Sequence, residues 1–301
     1  MKRLKISGVI VPMLTPFTAD GQIDERGVAA LVDFLIERGV AGLFPLGTTG
    51  EGALLTTPER QQVAEWVIRY ARERVPVIIH TGIITTAETI DLTRHARDAG
   101  ADAAAIVPPY FYKLTDDALY EHYAAVARAV SDFPLYLYNN PGVTPNILST
   151  ELVVRLAHEF PNYIGLKDSS GALATLFASR SLQDAAFNTA SGPDGLMMAG
   201  QAIGLDAAVS GNANYLPELI VALVDAAKSG DLETARILQA QLDEARRLLG
   251  DGADLSLFKA MCARRGVSVG TVRAPLRTAP AEKIEACWQA INAIGVIPVS
   301  A

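Results

Sequence analysis

Lys167 stands in an unusual place for a cation. In Tyr163-Ile164-Gly165-Leu166-Lys167-Asp168 a short apolar run closes on it, and such a run bounded by polar residues reads as a buried strand. The lysine then sits at the strand's C-terminal lip with its stem among apolar neighbours. Desolvation disfavours the ammonium form and leaves an amine able to attack a carbonyl carbon, so the chemistry on offer is an imine. The competing reading is a lysine that snorkels to solvent or pairs with Asp168. Two other stretches carry usable groups. Gly47-Thr48-Thr49-Gly50-Glu51 joins glycines that permit a tight turn to two adjacent hydroxyls and free backbone N–H groups, a set that can hold a carboxylate. Its plain alternative is a turn with hydroxyl caps. Tyr138-Asn139-Asn140-Pro141 offers a phenol that can relay protons, or one that merely finds a hydrogen-bond partner.

For these groups to meet, the elements that carry them must converge. Short β-rich runs alternate with longer amphipathic stretches from Gly8 onward, the pattern of βα units. Strands are expected at residues 8–14, 42–46, 75–81, 103–107, 135–138, 163–167, 188–191 and 207–210. Helices fall between them. Residues 24–38 place Val28, Leu31, Val32, Leu35 and Ile36 on one face before Gly39, and Thr57-Pro58-Glu59 reads as a cap with proline at the first helical position. The count matches a closed parallel barrel, whose active sites lie at the C-terminal ends of the strands. An open doubly wound sheet would carry a Gly-rich nucleotide fingerprint in its first turn, and none is found. Past Gly230 only helical patterns follow, at 232–249, 255–265 and 281–294. The expected architecture is thus an α/β (β/α)8 TIM barrel over residues 1–228 with a C-terminal helical extension over 229–301 packed on it.

The totals restrict the function. The 301 residues fit one such barrel, and a net charge of -7 without a basic cluster argues against nucleic acid. Cys262 and Cys287 are too few and too far apart for a disulfide framework or a Cys-rich metal site, which suits a reducing compartment. Lys2, Arg3 and Lys5 precede an apolar stretch, but Pro12 and Pro16 interrupt it, so a first strand is preferred to a signal peptide. No apolar run approaches membrane-spanning length, and a cytoplasmic protein is expected. His80 lies at a strand end while His95, His122 and His158 fall in helical patterns. None is spaced with carboxylates as a metal site, so all four read as structural or surface residues.

The Gly47–Glu51 pentapeptide, Tyr138-Asn139-x-Pro141 and Gly165-Leu166-Lys167-Asp168, in this order and spacing, resemble the N-acetylneuraminate lyase and dihydrodipicolinate synthase superfamily of Schiff-base aldolases. The likeness runs from about Gly8 into the C-terminal helices. It implies that Lys167 forms an imine with pyruvate or another 2-oxo acid, that Tyr138 moves protons with help from Thr48, and that Thr49 and the backbone near Gly47 hold the substrate carboxylate. It also places the main chain of Val209 beside the pyruvate. The chemistry is coherent by itself, since a protonated imine accepts electrons as the C3–C4 bond of a 3-deoxy-2-oxo acid breaks. No metal or other cofactor is implied, and homotetramers are common in the family.

Departures from the family patterns bear on the substrate. The synthases place an arginine where this chain has Val143, and a tyrosine lent by a neighbouring subunit where it has Phe111, unless Tyr110 or Tyr112 substitutes. Sialic acid lyases carry an Asp-Glu pair where Gly192-Pro193-Asp194-Gly195 keeps only the aspartate. Tyr136-Leu137-Tyr138-Asn139 and Asn212-Ala213-Asn214-Tyr215 look more like the 2-keto-3-deoxy sugar-acid aldolases. On that reading the partners are pyruvate and a small aldehyde, and Asp194, Asn212 and Thr144 are candidates for the substrate's hydroxyls, or else turn and capping residues. Condensation of pyruvate with aspartate semialdehyde is the alternative within the family, and a barrel that binds pyruvate without turnover the alternative outside it.

Overall fold

The computed structural model describes residues 4–250 and 254–296; Lys2, Arg3 and the expected extension's residues 251–253 and 297–301 lie outside the described residues. Eight strands form one parallel sheet: β1 (Gly8–Val11), β2 (Gly42–Leu43), β3 (Ile78–His80), β4 (Ala103–Ile106), β5 (Leu135–Asn139), β6 (Tyr163–Asp168), β7 (Asn188–Ser191) and β8 (Ala207–Val209). Their order is β2-β1-β8-β7-β6-β5-β4-β3, and a parallel bridge between Leu43 and Val77 closes the ring. Each strand is followed by a helix: α1 (Glu25–Ile36), α2 (Thr57–Ala71), α3 (Thr86–Asp98), α4 (Asp116–Ala129), α5 (Thr150–Glu159), α6 (Leu173–Ser179), α7 (Met197–Ala202) and α8 (Pro217–Ser229). The chain is a (β/α)8 barrel, as its alternation predicts. Three helices follow, α9 (Leu232–Leu248), α10 (Leu255–Arg264) and α11 (Ala281–Ile294). Leu242, Phe258, Met261 and Ile291 of these helices join the same apolar cluster as Val28, Leu31 and Leu216 of the barrel.

Three strands are shorter than expected by three residues or more: β1 ends at Val11 before Pro12, and β2 and β3 are cut short as well. At residues 42–46 the ladder stops at Leu43, because Pro45 has no N–H to give and Leu46 turns into the left-handed region at φ 69°. Phe44 still bonds to the β1 segment, donating to the Val11 carbonyl at 2.8 Å and accepting from Met13 N–H at 3.2 Å, and both Phe44 and Leu46 are buried. Pro76 likewise delays β3 until Ile78.

The barrel interior is filled by side chains, as this fold requires. Inward positions carry Ile10, Phe44, Ile78, Ala103, Ala105, Tyr136, Tyr138, Ala190 and Val209. The alanines of β4 leave space that the two tyrosines of β5 occupy. Leu135 and Leu137, one residue out of phase, face the helices instead. Tyr136 donates its hydroxyl to Asn188 Oδ1 at 2.7 Å, and Asn188 Nδ2 donates to the Ile6 carbonyl at 3.0 Å, so the polar tip of the ring is satisfied inside the barrel.

Gly165 makes room for that ring. A Cβ there would lie 2.5 Å from Tyr136 Cε1 and 2.7 Å from the Asn188 carbonyl oxygen, one of them fixed backbone. Gly165→Ala is therefore expected to lower stability by about 1–3 kcal/mol through overpacking, read as a lower urea midpoint with an unchanged slope.

Candidate active site

β5 and β6 pair so that Tyr138 stands opposite Lys167, both pointing inward. The Lys167 amine lies 3.8 Å from the centre of the Tyr138 ring and 4.6 Å from that of Phe44. The lysine is only 7% exposed, so its stem is enclosed as its sequence position predicts. Asp168 does not pair with it. That carboxylate points to the other side of the sheet, where it accepts from Asn139 Nδ2 at 3.0 Å and from the backbone N–H and hydroxyl of Ser170.

Tyr138 is the second half of the pair. Its hydroxyl accepts from Asn140 Nδ2 at 2.8 Å. Burial is the largest single influence on the phenol and raises its pKa. The Lys167 charge opposes that, and hydrogen bonds from Lys167, Thr48 and Asn140 add to the opposition until the net shift is downward. A phenol held below its ordinary value beside an amine is suited to taking and returning protons.

The Gly47–Glu51 stretch forms a tight turn above this pair. Glu51 N–H donates to the Thr48 carbonyl at 3.1 Å and Gly52 N–H to the Gly47 carbonyl at 3.1 Å. Gly50 fits only because it has no side chain, since a Cβ would lie 2.8 Å from the Met13 carbonyl oxygen. Thr48 is exposed and Thr49 half-buried, and with Gly47 they line a cavity of about 480 Å³. Tyr138, His80, Tyr110 and Val143 line it too, from the C-terminal ends of β3, β4 and β5, while Leu255 and Leu276 wall it from the extension. Lys167 itself borders a separate void of about 10 Å³ inside the barrel, shared with Phe44, Tyr136 and Val209. Tyr138 touches the amine and also lines the cavity, so it joins the two.

The sequence profile of the dihydrodipicolinate synthetase family matches residues 5–294. This chain belongs to that family. Its members are Schiff-base lyases and aldolases that need no metal. A 4-hydroxy-tetrahydrodipicolinate synthase of Hyphomonas neptunium is 38% identical, the match covering 95% of this chain and 97% of the relative. A probable 2-dehydro-3-deoxy-D-pentonate aldolase of Escherichia coli is 34% identical over 98% of this chain and 99% of its own length. Among solved structures, a prophage protein of the family from Escherichia coli, in complex with pyruvate, superposes with a TM-score of 0.90 at 33% identity, covering 97% of this chain and 99% of that one.

In this family member the three residues marked for substrate hydroxyls sit apart from the cavity lining. Thr144 donates its hydroxyl to the Pro109 carbonyl at 3.0 Å and accepts from Asn146 N–H, which ties the loop after β5 to the loop after β4. Asp194 accepts from Asn212 Nδ2, and Asn212 Oδ1 accepts the Tyr215 hydroxyl at 2.7 Å, making a buried polar cluster after β7 and β8. Burial raises the Asp194 carboxyl above its usual range, partly offset by hydrogen bonds from Ser210 and Asn212. Of the three aromatic candidates, Tyr110 lines the cavity. Phe111, at φ 83°, and Tyr112 point outward, 79% and 66% exposed.

His80, expected as a structural or surface residue, is buried beside Tyr138. It lines the cavity with its ring nearly perpendicular to Tyr138, centroids 5.8 Å apart. Burial, then the nearby Arg60 and Lys167 charges, push its pKa well below the usual value, so the imidazole is neutral. Its position at a strand end was the only available signal. Glu51 and Lys259 were also not singled out. They form an ion pair at 2.7 Å with side chains 0% and 1% exposed. A lysine within the apolar Leu255–Cys262 stretch of α10 was the signal, but nothing local names its partner.

Removing the cation should release the phenol. In Lys167→Met the tyrosine absorbance transition assigned to Tyr138, by its loss in Tyr138→Phe, is expected to move to higher pH than in the wild type. An unmoved transition would mean that Lys167 does not hold the phenol down.

Proposed function

We propose that this protein is an aldolase that makes or breaks a carbon–carbon bond between pyruvate and an aldehyde through an imine on Lys167. The observation that carries the reading is the inward pairing of Lys167 with Tyr138 beneath the Thr48–Thr49 turn. The amine adds to C2 of the 2-oxo acid, Tyr138 with Thr48 passes the protons needed to expel the hydroxyl as water, and the carboxylate rests against Thr49 and the backbone near Gly47, with the main chain of Val209 alongside. In the cleavage direction Tyr138 takes the proton of the C4 hydroxyl, the C3–C4 electron pair passes into the imine as an enamine, and the aldehyde leaves. Protonation of the enamine at C3 and hydrolysis return pyruvate and the free amine. These steps draw on the protein's own groups, the substrate and water.

For the aldehyde, the reading favours a 2-keto-3-deoxy sugar acid over aspartate semialdehyde. Val143 lines the cavity at the position where the synthases carry an arginine for the second carboxylate, and the arginine that does line it, Arg60, is buried and donates to the Gly52 and His80 carbonyls. The Escherichia coli relative named as a pentonate aldolase supports this, with Asp194, Asn212 and Thr144 as the polar groups proposed to turn toward a hydroxylated substrate. The proposal includes a homotetramer in the cytoplasm, with the outward Phe111 and Tyr112 rings in a subunit contact.

Borohydride added with pyruvate should fix a reduced pyruvate adduct on the tryptic peptide containing Lys167 and none on Lys167→Ala. A peptide map without that adduct would rule out the imine. Val143→Arg should raise kcat/KM for pyruvate plus aspartate semialdehyde by on the order of tenfold through a charge-assisted contact, while leaving adduct formation intact. No gain in that assay would detach aldehyde choice from this position.

A further inference from the structure

The carboxylate-binding turn does not hold itself. Glu51, its last residue, takes a left-handed conformation at φ 55° and is wholly buried, so its carboxylate must be received by the protein. Three segments distant in sequence receive it and its neighbours. Lys259 of α10 contacts Glu51 Oε1 at 2.7 Å, and Arg273 N–H donates to Glu51 Oε2 at 2.8 Å. Lys259 also donates to the Thr15 and Thr271 carbonyls, each at 2.8 Å, which ties the loop after β1 to the extension. Thr15 in turn donates its hydroxyl to the Gly50 carbonyl at 2.6 Å.

Three of these contacts, the two on Glu51 and the one on the Gly50 carbonyl, end within two residues of Thr49. Neither Lys259 nor Glu51 has a place in the imine chemistry. Lys259 is absent from the cavity lining, and both oxygens of Glu51 are already engaged. A buried pair of charges is a poor device for stability alone, because apolar residues of similar volume often serve as well. What it supplies is a fixed direction: one ammonium with two backbone carbonyls and one carboxylate defines where the turn must lie.

We propose that Lys259 and Glu51 are positioning residues for pyruvate, and that the C-terminal extension sets the geometry of the carboxylate-binding turn through their ion pair. The inference rests on the imine reading and deepens it. If the turn meets pyruvate's carboxylate equally in ground and transition states, loosening it weakens KM and leaves kcat nearly alone.

The test is the charge-free double variant Glu51→Gln/Lys259→Met, compared with Lys259→Met. The single variant strands a buried carboxylate and should lower Tm by about 10 °C. The double variant removes that stranded charge and should recover most of the loss, yet show a pyruvate KM raised about tenfold with kcat within about threefold of wild type. A recovered Tm with unchanged KM, or a loss in kcat alone, overturns the proposal. Should the double variant not fold, Thr15→Val removes the Gly50 bond while keeping the ion pair, and it must raise pyruvate KM in the same direction; an unchanged KM overturns the proposal equally. Borohydride trapping on the wild type separates the two readings. Without an adduct the imine itself fails, whereas an adduct with no KM response in the variants removes only the positioning role.

Discussion

The parity of β6 decides whether this barrel has a site. Side chains alternate across a strand, so a shift of one residue exchanges every inward group for an outward one. Leu135 pairs with Tyr163, but Tyr136 pairs with Gly165, and Ile164 is left as the extra residue of a bulge. Without that insertion Leu166 would oppose Tyr138, and Lys167 would face the helices in an apolar layer with no partner for its charge. With it, the amine, the phenol and the glycine that admits Tyr136 all fall on the inner face. The bulge thus joins packing and chemistry in one constraint, the role bulges often take beside active sites.

Once inside, the amine meets a field without a nearby carboxylate. Asp168, adjacent in sequence, is held by Asn139 and Ser170 on the far side of the sheet. Glu51, the acid nearest in the turn, faces Lys259. The groups that do surround Lys167 are aromatic faces, the Tyr138 phenol and a neutral His80.

The sequence made the strands and their chemistry legible because both are local. An apolar run closed by a polar residue names a strand end, and a barrel brings all strand ends to one rim, so Lys167, Tyr138 and the Thr48–Thr49 turn could be placed together from spacing. Strand length was less legible at Pro45 and Pro76, where burial and ladder pairing look alike in composition. Thr144 was ambiguous for a different reason: a threonine beside a turn can serve substrate or backbone, and only the position of the Pro109 carbonyl shows that its hydroxyl is engaged. Glu51 with Lys259 was invisible because the pair joins opposite ends of the chain, and periodicity carries no information on which distant helix a buried charge will meet. The surroundings of His80 were not legible because they depend on the rings of Phe44, just after β2, and of Tyr138 on β5, which its own neighbours do not announce.

Rigid and pliable parts of the site therefore need different supports. Lys167 and Tyr138 ride on central strands, each paired on both sides, and a functional group built on such an element is held to a fraction of an ångström by the ladder itself. The Gly47–Glu51 turn with the residue before it holds two non-glycine residues with positive φ, Leu46 and Glu51, conformations that cost about 1–3 kcal/mol each unless the surroundings enforce them. A loop under that strain would relax away from the amine if left to solvent. The barrel has no ninth strand with which to brace it, and α10 with the loop after it occupies that place. An extension that packs on the barrel with apolar residues could have been purely structural. One that sends a lysine and a backbone N–H to Glu51 and two leucines to the cavity wall is part of that region's architecture, and the turn's surroundings cannot be derived from the eight repeats alone.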